Sequence, residues 1–222
     1  RPSYVLGGRM MEKMNSMDDV QSYIDQNYWA LENNVILIDE FLKEAKEVDV
    51  DILRDINGNT MIAGIMEHIE EAGIHSGDSA CCIPPFSLSE DIINSIKEFS
   101  ISLSQELETI GLMNVQYAIK DDEVFILEAN PRASRTIPFL AKAIGIPFIK
   151  IAAELIAGNT LSKEFIEFKP EELPYFAIKE AVFAFNKFPN TDVILGPEMK
   201  STGEVMGIDN DFDMAYLKSQ IG

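Results

Sequence analysis

Cationic residues are scarce in this chain: 18 Lys and Arg stand against 37 Asp and Glu in 222 residues, a formal charge of −19. Nucleic-acid backbones and anionic membranes are bound through clustered Lys and Arg, so neither is an expected partner. A bound phosphate must be held locally, by a few aimed cations, by backbone amides or by a metal. Cysteine is scarcer still, and the two present, Cys81 and Cys82, are adjacent. That excludes a disulfide framework and reads as two buried thiols of a reducing compartment, the cytoplasm. The two histidines, His68 and His75, stand at no finger spacing, which excludes zinc on ligand count. No apolar run approaches the roughly 20 residues of a spanning helix, and none reads as a signal peptide. An initiator Met is also lacking. The chain opens Arg1-Pro2-Ser3-Tyr4-Val5-Leu6-Gly7-Gly8-Arg9, inside what reads as a functional loop, so a piece of something longer is expected.

What is present is globular: 46% of residues are hydrophobic and 25% charged, enough for a sizeable core. A helix is expected around residues 16–27, with acids in its first turn. The run Val35 to Leu42 reads as a short buried strand. From Glu47 to Ile52 the pattern alternates: Val48, Val50 and Ile52 take one face, and Glu47, Asp49 and Asp51 the other. That acidic face reads first as solvent-facing. Asn57-Gly58 marks a hairpin with a return strand over 60–69. Residues 72–86 read as loop. Ser87-Leu88-Ser89-Glu90 has capping-box spacing and opens a helix of five to six turns closed by Gly111, with Ile92, Ile93, Ile96, Phe99, Leu103, Leu107 and Ile110 on its apolar stripe. A second hairpin spans 114–130 and turns at Asp121-Asp122. Two short helices, 136–144 and 147–157, are stopped by Gly145 and Gly158. Beyond them come a strand at 175–185, a Pro/Gly loop and a final amphipathic turn or two. The element order implies an α+β fold with a largely antiparallel sheet.

The chemistry concentrates in Glu128-Ala129-Asn130-Pro131-Arg132-Ala133-Ser134-Arg135, read with Asn114-Val115-Gln116. Glu128 and Asn130 lie two apart on a strand and share a face, as do Asn114 and Gln116 on the preceding strand. One carboxylate with several amide oxygens is the hard donor set that Mg²⁺ or Mn²⁺ takes beside nucleotide phosphates. Arg132 and Arg135 are three apart, which on a helical turn aims both guanidiniums at one phosphoryl group. A capped hairpin with surface arginines fits the same spacing. Regular pairing from a two-residue turn would set Gln116 opposite Leu127 and leave Glu128 on the wrong face. A shared site therefore demands an odd loop or a β-bulge, with Val115, Tyr117, Ile119, Phe125, Leu127 and Ala129 on the apolar side. Gly7-Gly8 is a weaker phosphate-loop signal, and 73–79 (GIHSGDS) reads equally as pocket lining or surface loop.

The stretches RPSYVLGGR (1–9), EVDVD (47–51), GIMEHIEEAGIHSGDS (64–79), GLMNVQ (111–116), EANPRASR (128–135), FNKFP (185–189) and LGPEMKSTGEVMG (195–207) together resemble the large subunit of carbamoyl phosphate synthetase. The residues after Gly7-Gly8, the GIMEHIE run and the GPEMKSTGEVMG run look like its second, carbamoyl-phosphate-forming half. The resemblance implies an ATP-grasp core domain with part of its small lid. Residues 1–33 would be the C-terminal part of the lid, 34–158 the core, and 159–222 a C-terminal extension packing on it. It also implies site roles. Arg1 would reach ATP phosphate from the lid, and Glu40 and Leu42 would flank adenine at the hinge. Glu47 would bind ribose, and Gly73, Ile74, His75 and Ser76 would line the nucleotide. Gln116, Glu128 and Asn130 would hold Mg²⁺ or Mn²⁺, and Arg132 and Arg135 would contact phosphate and carbamate. ATP and carbamate are the implied substrates. The remaining large-subunit domains and a glutaminase small subunit are the implied partners, with the piece alone expected to be inactive. Another ATP-grasp carboxylase or ligase, or a catalytically silent piece, remains an alternative reading.

Overall fold

The computed structural model describes residues 10–31, 35–187 and 192–221. Arg1, Gly7 and Gly8 lie outside the described residues. The first helix, α1, spans Met17–Leu31, with Asp18 and Asp19 in its first turn. Ser16 Oγ accepts from the Asp19 amide at 3.1 Å, so the acids and the cap both answer the unpaired amides of the helix start.

Seven strands make one sheet: β1 (Lys46–Arg54), β2 (Thr60–Glu71), β3 (Cys81–Ile83), β4 (Gly111–Lys120), β5 (Glu123–Asn130), β6 (Phe176–Val182) and β7 (Gly203–Asp209). Their spatial order is β5-β4-β1-β2-β3-β6-β7, and every pairing is antiparallel. The β1–β2 hairpin turns at Asn57-Gly58 as the sequence implies. Asp55 closes it by accepting from the Asn57 and Asn59 amides at 2.9 Å. Helix α2 (Glu90–Glu106) covers one face through Ile92 and Ile96, packed on Val48, Val50, Ile52, Val115 and Tyr117. Helices α3 (Ile137–Ile144) and α4 (Phe148–Ile156) cover part of the other face, against Leu53, Ala63 and Leu112. Two further helices, α5 (Lys163–Ile166) and α6 (Phe212–Ile221), lie either side of β6 and β7 in the chain.

Several expectations are corrected. Residues 35–42 form no strand beyond a lone bridge at Ile36, and Val35 and Ile38 are exposed. The strand that follows, β1, is flanked by β2 and β4, so the run does not join the seven-stranded sheet beside it. The expected loop 72–86 contains β3, three buried residues too few to show alternation. Helix α2 is capped by Ser89, not Ser87, and ends at Glu106 rather than running to Gly111. Its end is forced by Glu108 at φ +48°, and Gly111 at φ +92° opens β4 instead. Phe99, Leu107 and Ile110 are accordingly exposed, while Ser100 and Ser104 are buried beneath the helix. Ser100 Oγ pairs with the Tyr117 hydroxyl at 2.8 Å. The Pro/Gly loop contains β7, and the final turn or two is a ten-residue helix. The second glycine of GEVMG has a packing reason, since a Cβ at Gly207 would overlap the Ala215 carbonyl of α6.

The β4–β5 hairpin turns at Asp121-Asp122, both at positive φ (51° and 61°), the two-residue turn that suits a twisted hairpin. Pairing is regular to Tyr117↔Ile126, then slips by one residue, so that Gln116 faces Glu128 and Asn114 faces Asn130. The required bulge is present, and Leu127 is its extra residue. Because the slip lies toward the turn from Glu128, Val124 joins Ala129 on the α2 side and Phe125 pairs with Ala118, which corrects the expected placement of Phe125 and Leu127. Deleting Leu127 is therefore expected to preserve the Gln116–Glu128 pairing, now in an unbulged ladder. Cross-strand NOEs between Gln116 and Glu128 in the deletion variant check this; pairing of Gln116 with Ala129 would contradict it.

Candidate active site

The sheet face that α3 and α4 cover is apolar at its Leu53–Leu112 end and polar toward the other. Register places Asp49 beside Gln116 and Asp51 beside Asn114. The acidic face expected in solvent is instead buried, with Asp49 and Asp51 each 1% exposed. Isolated carboxylates cannot stay charged there, so partners are required. His68 on β2 supplies one, its Nε2 3.1 Å from Asp49 Oδ2 and its Nδ1 3.9 Å from Glu47 Oε1. Gln116 on β4 stands beside Asp49 and donates from Nε2 to Ser76 Oγ at 3.2 Å. Lys179 on β6, 2% exposed, donates to the Ser76 carbonyl at 3.1 Å. Glu47 Oε2 accepts from the Gly73 amide at 3.3 Å. The 73–76 turn is thereby fastened from three strands. Asp49 Oδ1 and His68 Nδ1 remain without a hydrogen-bond partner.

These contacts set the protonation preferences. Burial opposes a charged His68, but the Asp49 hydrogen bond and the charges of Asp49 and Glu47 outweigh it and hold its pKa above the usual value of 6.5. Burial likewise opposes a charged Asp49, yet His68, Gln116 and Lys179 hold it below 3.8. Burial pushes Glu47 up, with His68 opposing. His75 is pushed down, chiefly by burial. A histidine pKa raised by folding contributes stability that is complete below its unfolded value and is lost as pH rises through its folded value. Urea midpoints are therefore expected to fall as pH increases from about 6.5, and His68→Asn should flatten that slope. Parallel pH profiles for wild type and variant would contradict the pairing.

The remaining expected site residues fall around this floor. Glu40 is exposed and Leu42 half-buried in the connector before β1. The Phe41 ring between them lies close to Gly73, 3.2 Å from where a Cβ there would sit. Ile74, His75 and Ser76 are half-buried in the turn after β2. The His75 amide donates to the Gly196 carbonyl at 2.8 Å, and Asp78 accepts from the Lys200 and Ser201 amides at 2.8 and 2.9 Å. The LGPEMKST segment is thus docked on this turn. Glu128 is exposed and Asn130 half-buried at the mouth of the face. Arg132 and Arg135 are exposed, but on an irregular loop rather than the expected helical turn, since α3 begins only at Ile137. Arg132 donates to the Ala133 carbonyl, and Arg135 contacts the Met199 sulfur.

Among the described residues no group of three or more His, Cys, Asp and Glu is placed to hold a metal. A different donor set is available. The Glu128 carboxylate makes no hydrogen bond or ion pair with another described residue, and it stands across the ladder from Gln116, whose amide nitrogen is already engaged by Ser76. One free carboxylate with amide oxygens from Gln116 and Asn130 suits a hard divalent ion whose coordination is completed by phosphate oxygens and water. Sequence reasoning missed His68 and Lys179 as parts of the floor. His68 had a usable signal, standing two residues after Met66 on an alternating strand, whereas Lys179 had none.

This arrangement is an ATP-grasp type of fold, and solved structures agree. The biotin carboxylase domain of Hydrogenobacter thermophilus 2-oxoglutarate carboxylase, in complex with MgADP and bicarbonate, matches with a TM-score of 0.65 at 14% identity, covering 83% of this chain and 41% of that one. Rhizobium etli pyruvate carboxylase matches at 0.64 and 19% identity, over 80% of this chain and 16% of that one. At these identities the likeness shows the fold alone. Residues 1–164 match the family described as carbamoyl-phosphate synthase L chain, ATP binding domain, and the chain belongs to that family. Carbamoyl phosphate synthase large chains are similar over all of this chain, 54% identical in Archaeoglobus fulgidus and 52% in a Nostoc species. The chain spans 20% of the length of each.

Proposed function

We propose that this chain is the nucleotide-binding core of the carbamoyl-phosphate-forming half of a carbamoyl phosphate synthetase large chain, transferring the γ-phosphate of ATP to carbamate. The observation that carries this is the bulged hairpin, which brings Gln116, Glu128 and Asn130 to one mouth beside the arginine loop and above the buried Glu47–Asp49–His68 floor. Identity above 50% to large chains and the GPEMKSTGEVMG segment docked at that mouth support the particular reaction.

Gln116, Glu128 and Asn130 would hold Mg²⁺ or Mn²⁺, which would supply positive charge against the phosphates. The chain's own residues do the rest. Glu47 takes ribose hydroxyls, and Leu42 and the backbone at Glu40 flank the base. Residues 73–76 line the nucleotide, and Arg1 reaches an ATP phosphate. Arg132 and Arg135 offset charge developing on the transferred phosphoryl group and hold the carbamate. No covalent nucleophile is needed: Cys81 and Cys82 are buried, and burial pushes their thiols up, Cys81 to about 12. The proposed partners are the other large-chain domains and a glutaminase small subunit, in cytoplasmic arginine and pyrimidine biosynthesis. The full-length polypeptide should form ATP from carbamoyl phosphate and ADP, the reverse of this step; inability to do so would remove the reading.

A further inference from the structure

Asp51 is the one carboxylate of the β1 acidic row that faces neither His68 nor the 73–76 turn. It is 1% exposed, and three side chains converge on it. Its Oδ1 accepts from Asn114 Nδ2 at 3.2 Å, while its Oδ2 accepts from Ser134 Oγ at 2.9 Å and Thr136 Oγ1 at 2.6 Å. The two hydroxyls are 2.7 Å from each other. Asn114 lies across the ladder from Asn130, the last residue before the arginine loop.

The loop has little else to hold it. Pro131, Arg132, Ala133 and Arg135 are exposed. Its one internal backbone bond runs from the Arg132 amide to the Asn130 carbonyl at 2.7 Å. Thr136 occupies the N-cap position of α3, where a threonine hydroxyl ordinarily accepts from the helix amides, yet it makes no side-chain cap bond. Its hydroxyl is turned onto Asp51 instead. A cap interaction is given up for a contact with the sheet, which fits a loop that must be held in one place.

We propose that Asp51 is a positioning residue: through Ser134 and Thr136 its buried carboxylate fixes residues 131–136, and with them Arg132 and Arg135, over the mouth formed by Gln116, Glu128 and Asn130. Asp51 touches neither arginine and acts only through the two hydroxyls. The catalytic consequence rests on the phosphoryl-transfer reading above, whereas the anchoring does not. Arginines that offset developing charge act through geometry, and a displacement of about 1 Å can cost on the order of 10²-fold in rate.

The test uses the full-length polypeptide carrying Ser134→Ala with Thr136→Val, and Thr136→Ser as the variant that restores the hydroxyl. Hydrogen–deuterium exchange of the peptide spanning 131–137 is read beside β1 and β4, together with kcat and KM for ATP formation from carbamoyl phosphate and ADP. Exchange in the loop should rise about tenfold with the strands unchanged. The kcat should fall roughly 10- to 100-fold with KM for ADP nearly constant, and Thr136→Ser should keep both near wild type. Unchanged loop exchange, or raised exchange with unchanged kcat, would overturn the proposal. So would a KM effect equal to the kcat effect. Should the double variant not fold, Thr136→Val alone carries the same reading. A wild type that forms no ATP sinks the phosphoryl-transfer reading and leaves the exchange arm to decide the anchor by itself.

Discussion

Glu128→Ala in the full-length polypeptide is expected to lower carbamoyl phosphate formation by on the order of 10³-fold. The melting temperature should stay within about 2 °C, since surface changes away from special features cost little. The two expectations separate chemistry from folding because of where Glu128 sits. It lies on the edge strand β5, is exposed, and its carboxylate makes no hydrogen bond or ion pair with a described residue. Nothing in the fold depends on its charge. In the proposed site it is the only anionic donor, and Gln116 and Asn130 contribute neutral oxygens. Glu128→Gln keeps the shape and removes the charge, and should be nearly as damaging. Activity within tenfold of wild type in the glutamine variant would place the metal elsewhere.

Arg132→Ala and Arg135→Ala are each expected to reduce kcat by about 10³-fold with smaller effects on KM for ATP, because a guanidinium facing the transferred group acts mainly on the transition state. Neither arginine forms an ion pair with a described carboxylate; each places Nη1 on a neutral acceptor, Ala133 O or Met199 Sδ, so neither positive charge is neutralised within the fold. Lysine should rescue poorly at either position, since a point charge does not reproduce two parallel donors. Steady-state kinetics of both alanine variants check this. A rise in KM alone, with kcat intact, would make the arginines binding residues that act equally on ground and transition state.

The elements that were legible in the sequence carry their own local signal. The EVDVD alternation, the Asn57-Gly58 and Asp121-Asp122 turns and the glycine stops at Gly145 and Gly158 all appear where expected. The β4–β5 bulge followed from incompatible demands of turn length and face, which a single strand pattern can state. What failed needed tertiary knowledge. Residues 35–42 look like a buried strand by composition, but the strand they lead into already has β2 and β4 on its two sides. Gly207 looks like loop until α6 is seen packed against it. The acidic face of β1 follows the ordinary rule that carboxylates are exposed, and the partners that overturn it lie on β2, β4 and β6, at distances in sequence no local pattern spans. The arginine loop failed in a similar way. Its three-residue spacing suggests a helical turn, but Asp51 draws Ser134 and Thr136 onto the sheet and delays the helix to Ile137.

The assignment to the carbamoyl-phosphate-forming half is tested most directly by assaying ATP formation from carbamoyl phosphate and ADP in two full-length variants. One carries Glu128→Ala, and the other carries alanine at the matching glutamate of the second Glu-x-Asn-Pro-Arg copy expected in a tandem large chain. Loss of ATP formation in the first, with retention in the second, is the predicted result. Retention in the first and loss in the second would contradict it, and would assign this chain to the other half.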